Sequence, residues 1–416
     1  MSAPTEGHRF AAFRHSSYAR FFLSRFLASF ATQIVSVAVG WQIYDITRDP
    51  FSLGLIGLVQ FLPSLLLILV TGSVADRYNR RIIMAVCLVI GTLCAAALLV
   101  LTMTGQFSPI PVFAVLIVFG IERAFFSPAS QSLAPNLVPV KDLSNAIAWN
   151  STSWQTAMIV GPVAGGLLYG FGPIVPYAVS VLFFLIAALV VFSIPKPPQH
   201  STGAAKSWAS IVAGFGYIRA EKVVLGAISL DLFAVLLGGA VALMPVFARD
   251  ILTLGPWGLG LLRSAPGFGA VAMAMWLAAN PIRHRAGVLM FVGVALFGLG
   301  TIVFGLSQTA WLSVLALVVM GAADMISVYV RETLITLWTP DELRGRVNAV
   351  NMVFIGASNE LGEFRAGTMA AVIGAVPAVV FGGIGTLAVS ILWALWFPKL
   401  RRIDSLDAPK RENLPA

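Results

Sequence analysis

The chain has 416 residues and a formal net charge of +9; 58% of its residues are hydrophobic and only 11% are charged. With a mean hydropathy of +0.89, it carries more apolar surface than a water-soluble core of this length can bury, which excludes an ordinary soluble protein. The apolar residues form runs of roughly 20, the length of a membrane-spanning helix, without the period-2 alternation of β-barrel strands.

The first elements in the chain are a polar, basic tail, residues 1–20, and an apolar run without a convincing cleavage site, so the tail is predicted to stay attached. Twelve spans are predicted in all, six on each side of a polar stretch at residues 195–222. The runs lie near residues 21–45, 51–74, 82–104, 110–133, 144–171, 173–194, 223–248, 257–280, 286–306, 310–335, 347–374 and 376–397. The predicted fold is therefore an all-α membrane protein with two six-helix bundles, 21–194 and 223–398, followed by a C-terminal tail, 399–416.

The basic residues predict the orientation. Twenty of the 27 fall in the tails and in loops on one side of the predicted membrane, whereas only Arg48 and Arg249 fall on the other. The positive-inside rule then places both termini in the cytoplasm. Because topology explains the net charge, no nucleic-acid partner is expected.

The polar stretch at 195–222 is predicted to be a cytoplasmic linker. Its start is rich in proline, and apolar residues then recur at helical spacing opposite polar ones, which predicts a helix on the inner membrane surface. A spacer between two bundles is the expected role, with a regulatory partner site as the alternative.

The two halves resemble each other. Gly120 and Pro139 recur 201 residues later as Gly321 and Pro340, which indicates a duplicated six-helix unit. Predicted helices 3, 6, 9 and 12 contain no charged residue, whereas charges are embedded in helices 4, 7, 8, 10 and 11. Since a charge in hydrocarbon is costly, every third helix is predicted to face lipid and the others to surround a polar path.

The segment Gly72–Arg81, GSVADRYNRR, resembles the motif G-x-L-A-D-R-x-G-R-R/K that follows the second helix of major facilitator superfamily transporters. Val74 and Asn79 replace leucine and glycine, and asparagine is the next best residue for a left-handed turn. Asp76 is expected to cap the third helix or to pair with a following arginine. The resemblance covers nearly the whole chain and implies a major facilitator fold with a cytoplasmic gate formed by Gly72, Asp76, Arg77, Arg80 and Arg81.

Three further segments carry the resemblance. Arg123 stands where relatives have an embedded arginine linked to proton coupling. The helix-5 segment GPVAGG, with Gly161, Pro162, Gly165 and Gly166, resembles the end of a motif of exporters that exchange substrate for protons, although these residues also serve to bend and pack a helix. The segment Thr339–Gly367 resembles the branch that contains enterobactin exporters. Together they favour export.

The candidate proton-coupling residues are embedded carboxylates. Glu360 and Glu363 are three residues apart, hence on one helix face, and two neighbouring carboxylates in a low-dielectric site do not both ionise easily. Asp231 and Asp324 are the next candidates. The alternative is that these groups form structural ion pairs between helices.

The candidate substrate cavity combines charged, polar and aromatic residues. Glu122 and Arg123 are adjacent and point roughly 100° apart on a helix, so at least one must reach another helix or the cavity. Interhelical packing is the alternative for each member. The cavity candidates are Glu122, Arg123, Gln33, Trp154, Gln155 and Asn359.

The predicted function is proton-coupled export of an amphipathic small molecule, such as a siderophore or drug, across a bacterial inner membrane by alternating access. No nucleophile or metal cluster appears, and the four histidines are scattered in polar segments, so no enzyme, metal or cofactor is expected. The proton gradient would supply the energy and a monomer would suffice. The alternatives are an importer of a small organic solute with the same fold and a membrane sensor that does not transport its ligand.

Overall fold

The computed structural model describes residues 9–196 and 208–407, and within these ranges it is helical without strands. Short 3-10 helices at Ala12–Arg14, Ala134–Leu137 and Val241–Leu243, and a π-helix at Phe247–Ile251, accompany the α-helices. The α-helices are α1 Ser16–Thr47, α2 Pro50–Arg77, α3 Arg80–Met103, α4 Pro109–Leu133, α5 Val140–Gly170, α6 Ile174–Phe192, α7 Trp208–Ala220, α8 Lys222–Gly238, α9 Met244–Val246, α10 Gly255–Ala279, α11 Ala286–Leu306, α12 Ala310–Trp338, α13 Asp341–Ile373, α14 Ala375–Trp396 and α15 Pro398–Arg401.

Ten helical segments in the described part of the chain are long and apolar enough to cross a membrane. The fifth and eleventh predicted spans do not qualify, although α5 and α13 have 31 and 33 residues. Their composition explains this, because both helices expose polar residues at helical spacing. The exposed polar positions include Ser144, Ser151 and Gln155 on α5, and Asn348 and Asn359 on α13.

The helices predicted to face lipid are α3, α6, α11 and α14. Every exposed residue in these four helices is apolar, and the exposed positions recur every three or four residues. Leu93 on α3, Leu189 on α6 and Leu299 on α11 are examples. A continuous apolar surface of this kind is stable against lipid hydrocarbon but unfavourable in water.

The seventh predicted span is one apolar segment, Lys222–Ile251, but it is broken after α8. Thr386 and Phe297 approach Gly238 so closely that a Cβ there would lie 2.6 Å from the threonine hydroxyl. Arg365 of α13 donates a hydrogen bond from Nε to the carbonyl of Leu236 at 2.9 Å. Arg365 therefore binds a backbone carbonyl that has no helical hydrogen-bond partner because the helix is interrupted.

The chain divides into two compact units. In the described residues, the first unit comprises residues 9–42 and 62–196, and the second comprises residues 43–61 and 208–407. The boundary thus differs from a simple division between the predicted bundles. The end of α1 and the start of α2 belong with the second unit, and so does α7.

The linker helix α7 packs on α13. A Cβ on Gly214 would lie 2.8 Å from the carbonyl oxygen of Arg346, so the two helices cross at close range, and Ile218 is buried in a cluster with Val347 and Val350. Val212 is exposed. Residues 197–207 and the side chains of Trp208 and Ile211 lie outside the described part of the linker.

Candidate functional site

The carboxylates of Glu360 and Glu363 on α13 both lie against Gly57 of α2. A Cβ built on this glycine would lie 2.6 Å from Oε2 of Glu360 and 3.2 Å from Oε2 of Glu363. Because both oxygens lie close to the same point, the two carboxylates also lie close to each other. Both side chains are half-buried, and the absence of a side chain at position 57 leaves the space that they occupy.

A close helix crossing holds this arrangement. A Cβ on Gly367 of α13 would lie 2.7 Å from the Cα of Gly54 in α2 and 2.7 Å from the carbonyl oxygen of Pro50. Only glycine permits backbones to approach so closely. The crossing lies within about two turns of the carboxylates along both helices, so it sets the distance between Gly57 and the pair.

Arg263 of α10 supplies positive charge to this site. Its guanidinium interacts electrostatically with both Glu363 and Glu360. When both glutamates are ionised, two like charges share a small space, and a guanidinium balances one of them. In a low-dielectric setting the repulsion is relieved when the pair binds a proton or a cationic group.

Asp231 and Asp324 belong to a second charged cluster, separate from the glutamate pair. Arg331 of α12 is 4% exposed and forms an ion pair with Asp231 of α8. Asp324 interacts electrostatically with both of these groups. Glu332 lies 3.6 Å from Nε of Arg331 and accepts a hydrogen bond from Asn351 of α13 at 3.1 Å. Three carboxylates thus surround one guanidinium.

The structure separates the neighbours Glu122 and Arg123. Glu122 is 4% exposed and lies on the side of α4 that faces α3, where its charge interacts with the thiols of Cys87 and Cys94. Arg123 is exposed. The predicted divergence is therefore present, and Arg123 is the exposed member of the pair.

The remaining cavity candidates divide by exposure. Trp154 and Gln155 are exposed on α5, and Asn359 is exposed on α13, where its amide donates to the carbonyl of Ile355 at 2.8 Å. Gln33 of α1 is half-buried and contacts Met158 of α5. Three of these side chains are therefore exposed, whereas Gln33 of α1 contacts α5.

The helix-5 motif lies at the crossing of α5 with α1. A Cβ on Gly161 would lie 2.6 Å from the Cβ of Gln33, and one on Gly165 would lie 3.1 Å from the Cα of Ile34. Pro162 and Gly166 are buried in the same helix. The motif therefore performs a packing role in this chain.

The motif after α2 is held by its arginines and by Asn79. Buried Arg80 donates to the carbonyl of Ala75 at 3.1 Å and to that of Ser132 at 3.2 Å, while Oδ1 of Asp76 lies 4.0 Å from its Nη2. Arg81 donates to the carbonyl of Ile194 at the end of α6. Of the remaining motif residues, Arg77 is exposed and Gly72 is half-buried.

The expectation for Asn79 is wrong. Its φ of −64° and ψ of 108° are extended, not left-handed, and its side chain accepts the backbone N–H of Arg81. Asn79 is the N-cap of α3, which is one of the roles that were expected of Asp76. Asparagine is among the best N-cap residues, because its side-chain oxygen binds an N–H that the first turn leaves open.

Sequence reasoning did not assign the partners of the embedded charges. The pairing of Arg331 with Asp231 joins residues 100 positions apart in sequence, and neither position carries a motif. It also missed a cluster of opposite charges around Asp45 and Arg249. The one available signal was that Arg48 and Arg249 are exceptions to the charge asymmetry of the loops.

Comparisons with known proteins agree with this architecture. A family model described as transmembrane secretion effector matches residues 7–416. The enterobactin exporter EntS of Escherichia coli O1:K1 / APEC is 25% identical over 395 residues, which cover 93% of this chain and 93% of the exporter. EntS of Citrobacter koseri has the same identity and coverage.

Solved structures show the same fold at low sequence identity. An inward-facing, occupied bacterial homologue of the human lysosomal transporter Spinster has a TM-score of 0.75 and 16% identity, covering 95% of this chain and 100% of its own. The nucleoside transporter NupG has a TM-score of 0.68 and 14% identity, covering 93% and 99%. The chain belongs to the transmembrane secretion effector family of the major facilitator superfamily, and it is a multi-pass membrane transporter rather than an enzyme.

Proposed function

We propose that this transporter exports an amphipathic small molecule, of the siderophore or drug class, in exchange for protons. The observation that carries the proposal is the convergence of Glu360 and Glu363 above Gly57, with Arg263 as a counter-charge. The similarity to enterobactin exporters supports the direction and the class of substrate.

The proposed topology has twelve spans with both termini in the cytoplasm of a bacterial inner membrane. The ten apolar segments supply most of them, and α5 and α13 supply the remaining two. In each of these two helices the exposed polar residues would face water rather than lipid, because polar side chains within a membrane usually remain hydrated. The charge asymmetry of the loops supports the orientation.

In the proposed mechanism, protonation of the glutamate pair and binding of substrate alternate. When the path is open to the outside, the pair takes up a proton and Arg263 keeps an ionised carboxylate as its partner. When the path is open to the cytoplasm, loss of the proton restores the repulsion between the carboxylates. The pair thereby couples the proton gradient to the equilibrium between the two states, because protons stabilise one state more than the other.

Exposed polar groups would bind the substrate. Asn359 lies one residue from Glu360 and offers an amide; Arg123, Trp154 and Gln155 are further candidates that offer a cation, an aromatic face and an amide. These groups fit an organic molecule with both apolar and polar surface. A functional monomer is part of the proposal.

The test is accumulation of a panel of siderophores and amphipathic dyes in efflux-deficient cells. Cells would express the wild type, Glu360→Gln/Glu363→Gln, or the control Glu342→Gln, which removes an exposed carboxylate from the first turn of the same helix. We expect lower accumulation with the wild type and the control, and loss of this effect with the double variant or with a protonophore.

Two results would contradict the proposal. Export that persists in the double variant at equal expression would refute coupling through the glutamate pair. Uptake of a labelled solute down its gradient, insensitive to protonophore, would instead establish the chain as an importer.

A further inference from the structure

The end of α1 and the π-helix Phe247–Ile251 are joined by two crossed ion pairs. Asp45 pairs with Arg249, and Arg48 donates from Nη1 to Oδ1 of Asp250 at 2.8 Å. Tyr44, which is 4% exposed, donates its hydroxyl to the other oxygen of Asp250 at 2.5 Å. We refer to these five residues, Tyr44, Asp45, Arg48, Arg249 and Asp250, as the crossed-pair cluster.

Both segments have an unusual backbone at this cluster. Arg48 has a φ of +52°, in the left-handed region that residues with a side chain rarely adopt. Arg249 and Asp250 lie in a π-helix, a rare conformation that is frequently found at functional sites. A left-handed residue directly after a helix is a common helix ending, so the π-helix is the rarer of the two features, and both of its charged residues pair with the end of α1.

Arg48 and Arg249 are also the two basic residues that the charge distribution assigns to the outer side of the membrane. Positive charge outside opposes the orientation that the other loops set. Each of these arginines has an acidic partner from the opposite sequence half, so both exceptions occur in one contact. The partner residues are 202 and 204 positions apart in the sequence.

We propose that the crossed-pair cluster is the outer gate of the transporter, a latch that closes the substrate path on the outer side and opens when the path faces outward. This inference rests on the proposed alternating access and orientation. The side chains of the two pairs are between 24% and 52% exposed, so water can solvate the charges once they separate. Partly exposed pairs are weak individually, which suits a contact that must break in every cycle.

The neighbouring helix contact fits the same role. Close to the cluster in sequence, α2 meets α13 through Gly54 and Gly367, with backbone against backbone. No side chains interlock at this point, and beside it the rings of Phe51 and Phe364 pack with their centroids 6.0 Å apart. The ion pairs would then supply the specific attraction that closes the outer end.

The test measures access to the path from outside. Asn359→Cys introduces a thiol at an exposed position beside the glutamates, and a membrane-impermeant maleimide is added to right-side-out spheroplasts. The native cysteines, Cys87 and Cys94, are buried, and the chain without the new thiol gives their background labelling. With Asn359→Cys present, we expect Arg249→Gln or Asp45→Asn to raise outside labelling about two- to fivefold, the range for one exposed ion pair. The charge-swapped variant Asp45→Arg/Arg249→Asp should return labelling toward its starting value.

The controls separate the latch from general damage. Arg402→Gln removes an exposed positive charge from near the end of the described chain and should leave labelling unchanged. Arg249→Lys keeps the positive charge and should leave labelling close to its starting value, whereas Asp45→Asn keeps the test valid if Arg249→Gln fails to fold. Unchanged labelling in both neutral variants, or no restoration by the charge swap, would overturn the proposal.

This readout does not depend on the identity of the substrate. If no compound is exported but the neutral variants raise outside labelling, the latch stands and the proposed export function fails. If export is proton-driven but labelling never changes, the function stands and the latch is wrong.

Discussion

Replacement of Gly57 by alanine should disturb transport without destabilising the fold. The new methyl group would lie 2.6 Å from Oε2 of Glu360, whereas non-bonded atoms pack at about 3.5 Å or more, so the carboxylate must move by about 1 Å. That shift costs about 0.5–1.5 kcal/mol as a strained rotamer. The gain of about 1 kcal/mol from replacing glycine by alanine in a helix offsets it.

The expected result is a protein of wild-type thermal stability with impaired coupling. A displacement of about 1 Å at a reacting group can cost about a hundredfold in rate. We therefore expect proton-driven transport by Gly57→Ala to fall about ten- to a hundredfold at equal expression. Thermal unfolding in detergent and transport into vesicles with an imposed pH gradient measure the two quantities.

Two alanine variants of α13 serve as controls. Gly345→Ala would meet no atom within 4 Å and should be neutral or slightly stabilising. Gly367→Ala would meet the backbone of Gly54 at 2.7 Å, which cannot move as a side chain can, so it should lower stability. The reasoning is refuted if Gly57→Ala transports like the wild type or if Gly367→Ala is as stable as Gly345→Ala.

Three further outcomes are expected. Arg331→Ala should destabilise the protein by about 3–5 kcal/mol, because it leaves the buried carboxylate of Asp231 without its partner; thermal unfolding measures this, and unchanged stability would show that the pair is dispensable. Asn79→Ala should cost about 0.5–2 kcal/mol and Asn79→Gly only a few tenths, as for an N-cap; a gain with glycine would instead indicate a left-handed turn. The backbone N–H of Arg285 and the side chain of His284 hold the pKa of Asp404 below its usual value of about 3.9. The contact of Asp404 with the start of α11 should therefore contribute stability above that pH and weaken as the pH falls through the lowered pKa. Hydrogen exchange at Ala286 and Gly287, whose amides bind the carbonyls of Asp404 and Ile403, reports the change, and Asp404→Asn should abolish the acid dependence.

The number and order of apolar segments could be predicted from sequence because hydropathy is a local property of each run. Ten of the twelve predicted runs correspond to described segments apolar enough to span. The exposed apolar stripes of α3, α6, α11 and α14 also follow from composition, since the predicted spans that they contain carry no charged residue. The family resemblance of Gly72–Arg81 is equally local, and the family is confirmed.

The sequence by itself determined the membrane class, the approximate spans and the family, and it selected the carboxylates that share a face of α13. Only the tertiary structure decided that Glu360 and Glu363 meet above Gly57 and that Glu122 is buried while Arg123 is exposed. It also decided that α7 packs on α13 and that the end of α1 pairs its charges with those of the π-helix.

The physical reason is the same for each of these contacts. Whether two charged groups meet depends on which helix faces lie together, and the partners are often 100 or more positions apart in the chain, with nothing in the local sequence to mark them. Hydropathy acts within one segment, whereas pairing and burial depend on packing between segments. The sequence therefore identifies the charges that the membrane makes costly, and the fold decides which counter-charge each of them meets.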